Sequence, residues 1–299
     1  MMRVLVLGAD GFVGRRVMAR LSQAAGIEPI AGTRRSIAAG DTGRVAVDAT
    51  DRASLDAALR GVDAIVNAVA GDADTIRRNG TAVFAAAAGR RVVHLSSMAV
   101  YGAATGTIDE TAPLAQAAGA YGDAKIAAER AADGDTVILR PGCIYGAGSP
   151  QWTRRIATLL RQRRIGDLGA AGDGCSNIVH VDDVARAVEA GLRGGSGAYN
   201  LAMPGAPDWN GYFLAFAKAL GAVPVRRIPR WQMTLDSKLA AIPLKLAERL
   251  PGQAPPAIPP SLARLWAQDM RLDATRATRE WALDWTPLES GVAEAASSL

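Results

Sequence analysis

The stretch RVLVLGADGFVGRRVMARL, residues 3–21, restricts the fold more than any other part of this chain. An apolar run closed by glycine reads as a buried strand, and the residues after it have helical spacing, with Val17 and Leu21 four apart. Three glycines, Gly8, Gly11 and Gly14, fall where strand passes into helix. Gly8 permits a tight turn there, Gly11 lets the backbone approach a pyrophosphate, and Gly14 allows close helix–strand packing. The helix N-terminus then offers free N–H groups and the positive end of a dipole to phosphates. Asp10, Phe12 and Val13, between these glycines, are expected to line the same dinucleotide.

The pattern repeats along the first half. Strand-like runs at 28–33, 43–50, 62–71, 91–97 and 135–142 alternate with helix-like segments at 54–61, 74–89 and 121–132. Ser54 is placed to cap the first of these helices, and Pro29 limits where the strand at 28–33 can pair. Short apolar strands alternating with helices predict an α/β fold, a doubly wound parallel sheet (Rossmann fold) that binds ligands beyond the carboxyl ends of its strands. After Gly142 the pattern loosens. A helix at 149–164, a Gly-rich loop at 169–177, a strand and helix at 178–194, a strand at 198–202 and a helix at 209–221 are expected, with an irregular Pro-rich tract at 250–261. This predicts a dinucleotide-binding domain over 1–150 and 178–204, and a smaller C-terminal substrate-binding lobe over 151–177 and 205–299.

Composition narrows the partners. The net charge of +5 comes from scattered Arg pairs without interleaved aromatics, so no nucleic-acid surface is expected. Cys143 and Cys175 are too isolated for a metal-ligand spacing or a disulfide framework, so no metal and a reduced, cytoplasmic setting are expected. No apolar run reaches the ~18–20 residues of a membrane span, and with a strand-like run at the start no signal peptide is expected.

The end of the second strand bears on the cofactor. A carboxylate there would accept hydrogen bonds from the ribose of NAD. The sequence is AGTRRS, with Arg34 and Arg35 and no acid. An acid would repel a 2′-phosphate and an Arg pairs with it, so NADP is expected over NAD, with Arg34 the partner and Arg35 the bystander. Asp48, beside Ala49 after the third strand, is read either as an adenine contact or as a turn former. Ala68, Val69 and Ala70, at the end of the fourth strand, are expected to face the cofactor.

At the other end, Tyr121 and Lys125 lie at i and i+4 and share a helix face. A free phenol has a pKa of about 10. A nearby ammonium is expected to lower it, letting Tyr121 exchange a proton with an alcohol or carbonyl. Ser97, at the end of the fifth strand, is placed to hold the substrate oxygen.

With these residues assembled, the chain resembles the extended short-chain dehydrogenase/reductase superfamily, the NAD-dependent epimerase/dehydratase-like proteins. The resemblance rests on GADGFVG, VVHLSSMAVYG, YGDAKIAAE, LRPGCIYGAG, GDGCSNIVHVDDVARAV, YNLAMPG and DATRATREWALDWTP. It implies a catalytic set of Ser97, Tyr121 and Lys125, with Lys125 also on the nicotinamide ribose and Pro141 and Cys143 bordering the nicotinamide. It implies too that the Ala-rich helices pair across a two-fold in a homodimer. His180 and Asp182 match a family motif and are read as structural, with Asp182 capping the next helix.

The departures from the family are informative. Its dehydratases carry Asp-Glu after the Ser/Thr; here Met98 and Ala99 stand there, which disfavours water loss from a nucleotide sugar. Arg77 replaces an Asn, and Asn79 sits out of place next to Gly80. Arg264 and Arg271 are candidates for a substrate diphosphate, outside the usual pattern. Trp152, Trp209, Trp231 and Trp266 are assigned to core packing, with an apolar substrate pocket as the alternative. The leading expectation is an NAD(P)-dependent oxidoreductase acting on a carbonyl or alcohol of a small molecule. The alternatives are a nucleotide-sugar epimerase with retained NAD and a non-catalytic NADP-binding sensor, the latter disfavoured by the intact Ser97–Tyr121–Lys125 set.

Overall fold

The computed structural model describes the chain except residues 36, 38–40, 42, 133–134, 224, 241–242 and 245–255. Of the irregular tract expected at 250–261, residues 250–255 lie outside the described residues, and 256–259 form no regular element. Pro260 then opens a helix, because a proline in the first turn gives up an N–H that has no helical partner anyway.

Seven parallel strands form the main sheet: β1 (Met2–Leu7), β2 (Ile27–Thr33), β3 (Arg44–Ala46), β4 (Ala64–Asn67), β5 (Arg91–Leu95), β7 (Thr136–Pro141) and β10 (Gly197–Leu201). Their order is β10-β7-β5-β4-β1-β2-β3. β1 pairs with β2 on one side and β4 on the other, Val4 lying level with both Pro29 and Ala64. The strand order reverses here, and in such sheets a crevice opens beyond the strand ends at this point. β3 joins β2 only at Ala31–Thr33, past Pro29, which cannot donate to a ladder.

Both faces of the sheet are covered. Val4 and Val6 of β1 pack with Val17 and Leu21 of α1 (Phe12–Gln23) and Val184 and Val188 of α6 (Val181–Arg193). Leu5 and Leu7 point the other way, onto Leu55 of α2 (Arg52–Ala58) and Val83 of α3 (Ala73–Ala87). All four β1 side chains are fully buried, each contributing roughly 1.5–3 kcal/mol, which is why the strand reads as an unbroken apolar run. α4 (Gly119–Arg130) lies against α3 with Gly80 at the contact, where a Cβ would meet that of Ala128 at 2.6 Å.

A separate core gathers most of the chain's few aromatics. Trp209, Tyr212, Phe213 and Phe216 of α7 (Trp209–Ala219) pack with Trp266 of α9 (Pro260–Trp266) and with Ile156 and Leu159 of α5 (Arg155–Arg161). Two short parallel sheets join this part to the rest. β8 (Cys143–Tyr145) pairs with β9 (Ile178–His180), and β6 (Gly106–Ile108) pairs with β11 (Met270–Leu272). The remaining described helices are α8 (Arg230–Leu235), α10 (Thr275–Trp281) and α11 (Leu288–Ser297). No helix among the described residues is long and apolar enough to cross a membrane.

Some local expectations change. Asp51, not Ser54, caps α2, accepting from Ser54 N at 2.8 Å; the Ser54 hydroxyl turns back to accept from Asp48 N. His180 caps α6 through Nδ1, and Asp182 sits in the first turn, 3.5 Å from Arg16. The helix expected at 149–164 begins as a π-helical turn at Pro150–Arg154 and becomes regular only in α5.

Candidate active site

A cleft of about 1770 Å³ runs along the carboxyl ends of the strands. The glycine turn forms part of its lining. Gly8 has φ +79°, and a Cβ on it would lie 2.6 Å from the carbonyl oxygen of Ala68, so only glycine lets β1 and β4 end side by side. A Cβ on Gly14 would lie 2.1 Å from the carbonyl oxygen of Gly8; this glycine is buried packing beneath the turn and does not line the cleft. Helices α2, α3 and α7 are capped by Asp51, Asp72 and Asp208, whereas the N-cap of α1, Gly11, has no side-chain bond. The first N–H groups of α1 therefore remain available beside Gly8, Gly11, Phe12 and Val13, which line the cleft, and a pyrophosphate fits there.

Arg34, Arg35, Asp48, Ala49, Thr50 and Arg78 surround one end. Asp48 is a turn former: its carboxylate accepts from Thr50 N at 2.9 Å and Thr50 Oγ1 at 2.8 Å. Those bonds, and after them the guanidiniums of Arg78 and Arg34, hold its carboxyl below the usual range. Asp10 accepts from Thr33 Oγ1 at 3.0 Å and from Arg44 at 3.3 Å. The Thr33 bond first, then Arg44 and Arg35, keep Asp10 ionised against burial. Its charge thus faces Arg44 and Arg35, whereas Arg34 neighbours Asp48. Arg78 of α3, which donates to Thr50 Oγ1 at 3.2 Å, was not expected here; its role depends on where α3 docks, and no local pattern reports that.

Ser97, Tyr121, Pro141 and Cys143 line the middle of the cleft, with Ala68, Val69 and Ala70 across from them at the end of β4. Tyr121 lies in the first turn of α4 and is 48% exposed. Its phenol is pushed above its ordinary pKa by desolvation in the cleft, with the neighbouring Ser97 hydroxyl acting the other way. This corrects the expectation of a phenol lowered by Lys125. The ammonium lies one layer behind, 6.0 Å from the ring centroid, and donates to the Leu95 carbonyl at 2.7 Å. Lys125 is buried and does not line the cleft. Burial pulls its pKa down to about 8, against the raising influence of Glu129. Burial also pushes the Cys143 thiol up, so it stays a neutral wall.

Glu129 completes a ladder with Tyr121 and Lys125 on successive turns of α4. Its carboxylate accepts from the Ser96 hydroxyl and from Arg140 of β7, the Nη2 of Arg140 lying 2.7 Å away. Arg140 continues to the Tyr101 hydroxyl at 2.8 Å, which donates to Asn200 at 2.8 Å. The adjacent serines therefore divide: Ser97 faces the cleft and Ser96 anchors the helix. Asn79, out of place by the family pattern, bridges the Ala49 carbonyl at 2.9 Å and Asn67 of β4 at 2.8 Å.

At the far end Ala99 lines the cleft and Met98 is buried, so no carboxylate stands where a dehydratase would need one. Trp209 and Trp266 are core, Trp231 is exposed away from the cleft, and Trp152 alone of the four lines it. Arg264 reaches the cleft; Arg271 does not, and points to the Ala206 carbonyl. His180 is structural, its Nε2 lying 2.6 Å from Glu294 of α11.

Comparison with known proteins finds relatives of this chain and solved structures that share its fold. A (4-alkanoyl-5-oxo-2,5-dihydrofuran-3-yl)methyl phosphate reductase from Streptomyces griseus subsp. griseus is 43% identical over 32% of this chain and 35% of its own length. The dTDP-6-deoxy-L-talose 4-dehydrogenase (NAD(P)+) of Kitasatospora kifunensis is 36% identical over 50% of this chain and 54% of its own. The matched stretches thus span about a third and a half of these relatives. The human epimerase family protein SDR39U1, solved with NADPH, shares the fold with a TM-score of 0.74 at 20% identity, covering 100% of both chains. The Bordetella bronchiseptica enzyme WbmH, solved with NAD+, does so with a TM-score of 0.73 at 18% identity, over 100% of this chain and 98% of its own. Residues 4–202 match the family model that spans the glycine turn, the Ser97–Tyr121–Lys125 group and β10, and the chain belongs to the NAD dependent epimerase/dehydratase family.

Proposed function

We propose that this protein is an NADP-dependent oxidoreductase that interconverts a carbonyl and an alcohol on a small molecule, with Tyr121 as the proton donor and acceptor. The observation that carries this reading is the Tyr121 phenol, open to the cleft beside Ser97 and backed by a buried ammonium. The nicotinamide cofactor supplies or accepts the hydride. In the reducing direction Ser97 holds the carbonyl oxygen, and Tyr121 gives that oxygen its phenolic proton. The raised pKa keeps this proton in place until the oxygen gains negative charge. Lys125, held behind the ring by the Leu95 carbonyl, offsets the charge left on the phenolate. Two relatives named as a reductase and a dehydrogenase support the reading. The preference for NADP rests on Arg34 at the end of β2, where an NAD site usually places an acid.

One set of measurements tests both parts. Fluorescence titration should show NADPH bound more tightly than NADH, with the difference lost in Arg34→Ala. Tyr121→Phe should lower kcat for carbonyl reduction by about 100-fold or more while leaving NADPH affinity intact. Wild-type turnover in Tyr121→Phe would remove Tyr121 from the chemistry, and tighter NADH binding would overturn the NADP assignment.

A further inference from the structure

The substrate half of the cleft has an unusual balance of chemistry for a family that includes nucleotide-sugar enzymes. One wall is the loop after β5 and the approach to α4, presenting Ala99, Ala103 and Ala118. The facing wall is α9, presenting Leu262 and Leu265, with Trp152 closing one side. Gln268, just past α9, is already engaged: its amide donates to the carbonyls of Gly102 at 3.0 Å and Ala104 at 2.9 Å. Those bonds hold the two walls together as a slot. Among the described residues, the other charged groups lining the cleft, Asp10, Arg34, Arg35, Asp48 and Arg78, gather at the cofactor end, and Arg264 alone stands in the substrate half. Arg264 is exposed, one turn along α9 from the Pro260 that opens the helix.

This lining suits neither a sugar nor a diphosphate. Gln151 and Ser261 also line this half, but two side chains cannot pair all of a sugar's hydroxyls against the alanine and leucine walls, and a site that desolvates hydroxyls unpaired selects against them. A diphosphate presents two separate phosphoryl groups, and a single guanidinium can pair with only one of them. An aliphatic chain gains from exactly such walls, and one guanidinium matches one oxyanion in a two-point contact.

We propose that the substrate is a carbonyl compound with an aliphatic body and a single oxyanion, a phosphate monoester or a carboxylate. The chain lies between α9 and the alanine loop, the oxyanion meets Arg264, and the carbonyl lies at Ser97 and Tyr121. This rests on the oxidoreductase reading for the reacting end only; the body and the anion are read from the slot itself.

The test is therefore a binding measurement that needs no turnover. Protein loaded with NADP+ is titrated calorimetrically with octyl phosphate, octanoate, 1-octanol and UDP-glucose. At least one octyl anion is expected to bind about tenfold or more tighter than 1-octanol and tighter than UDP-glucose. The tighter of the two anions identifies the headgroup. Arg264→Ala should remove the advantage of the anion over the alcohol, and Arg264→Lys should restore part of it, with NADP+ affinity unchanged in both. Raised salt should weaken the anion more than the alcohol. Equal binding of octyl anion and alcohol, an Arg264→Ala protein that keeps the anion's advantage, or tighter binding of UDP-glucose would each overturn the proposal. A failure of the Tyr121→Phe experiment would instead strike the oxidoreductase reading and leave this titration standing.

Discussion

Glu129 stands one turn beyond Lys125, and what it does to that lysine decides over which pH range the site works. Burial draws the Lys125 pKa down to about 8 from an ordinary value near 10.5, and Glu129 opposes that fall. If the charged lysine stabilises the Tyr121 phenolate, activity should fall as pH rises through about 8. Glu129→Gln removes the opposing negative charge, so the lysine should lose its proton at lower pH and the alkaline limb should move down. The rate well below the limb should stay near wild type. Arg140 would lose its charged partner inside the protein, at a cost of roughly 3 kcal/mol, the low end for breaking a buried pair because Gln still accepts a hydrogen bond. A kcat/KM profile scaled down equally at every pH, with its limb unmoved, would show that Glu129 only supports the fold. The sequence displays Tyr121, Lys125 and Glu129 at one helical spacing, so the ladder could be read from it. That Ser96 and Arg140 converge on Glu129 could not, because they arrive on β5's end and on β7 through the sheet order.

At the scale of elements, α4 carries Tyr121 and Lys125, the proposed reacting residues, and its distance from α3 sets where they stand. A Cβ on Gly80 would lie 2.6 Å from the Ala128 Cβ and 2.9 Å from its Cα, neither of which can rotate away. Gly80→Ala therefore forces the helices apart. Overpacking costs typically 1–3 kcal/mol, partly offset by the ~1 kcal/mol gain in helix propensity. Thermal unfolding should show a lower Tm, and kcat should drop more than cofactor affinity, since α4 holds Tyr121 while the glycine turn is untouched. Adding Ala128→Gly should recover both. A Gly80→Ala protein with a raised Tm would mean that propensity wins and that the contact has room to spare. Elements of the main sheet were largely legible, because strands buried on both faces are unbroken apolar runs. β3 was read as 43–50 and forms only Arg44–Ala46, since Asp48 and Thr50 close a turn on each other. The pairing of β6 with β11 carries no local signal: both are three-residue strands, and their partnership is made by tertiary contact.

Across the whole molecule, one buried polar chain ties the cofactor end to the strand behind the reacting end. The Ala49 carbonyl accepts from Asn79, Asn79 accepts from Asn67, and Asn67 donates to His94 Nδ1 of β5 at 3.1 Å. That last bond places the ring proton on Nε2, which is buried without a partner among the described residues. His94 is thus held neutral: burial first, and the Lys125 charge second, depress its pKa from 6.5 to about 3. Above pH 6.5 the ring is neutral in folded and unfolded chains and contributes no pH dependence. Between 6.5 and about 3 the unfolded chain binds a proton that the folded one refuses, so stability falls as pH falls, by about 1.4 kcal/mol per unit. Below about 3 the loss stops growing. Urea unfolding at pH 7, 6, 5 and 4 should show this slope in the wild type on top of the contribution of the carboxylates. His94→Gln keeps an amide next to Asn67 and removes the titration. It should be less stable at pH 7, where the packing on Phe84 is disturbed, yet lose less between pH 6 and 4 than the wild type. Parallel curves for the two proteins over that range would mean that His94 takes its proton in the folded state, and that the core behind the active site is wetter than its burial indicates.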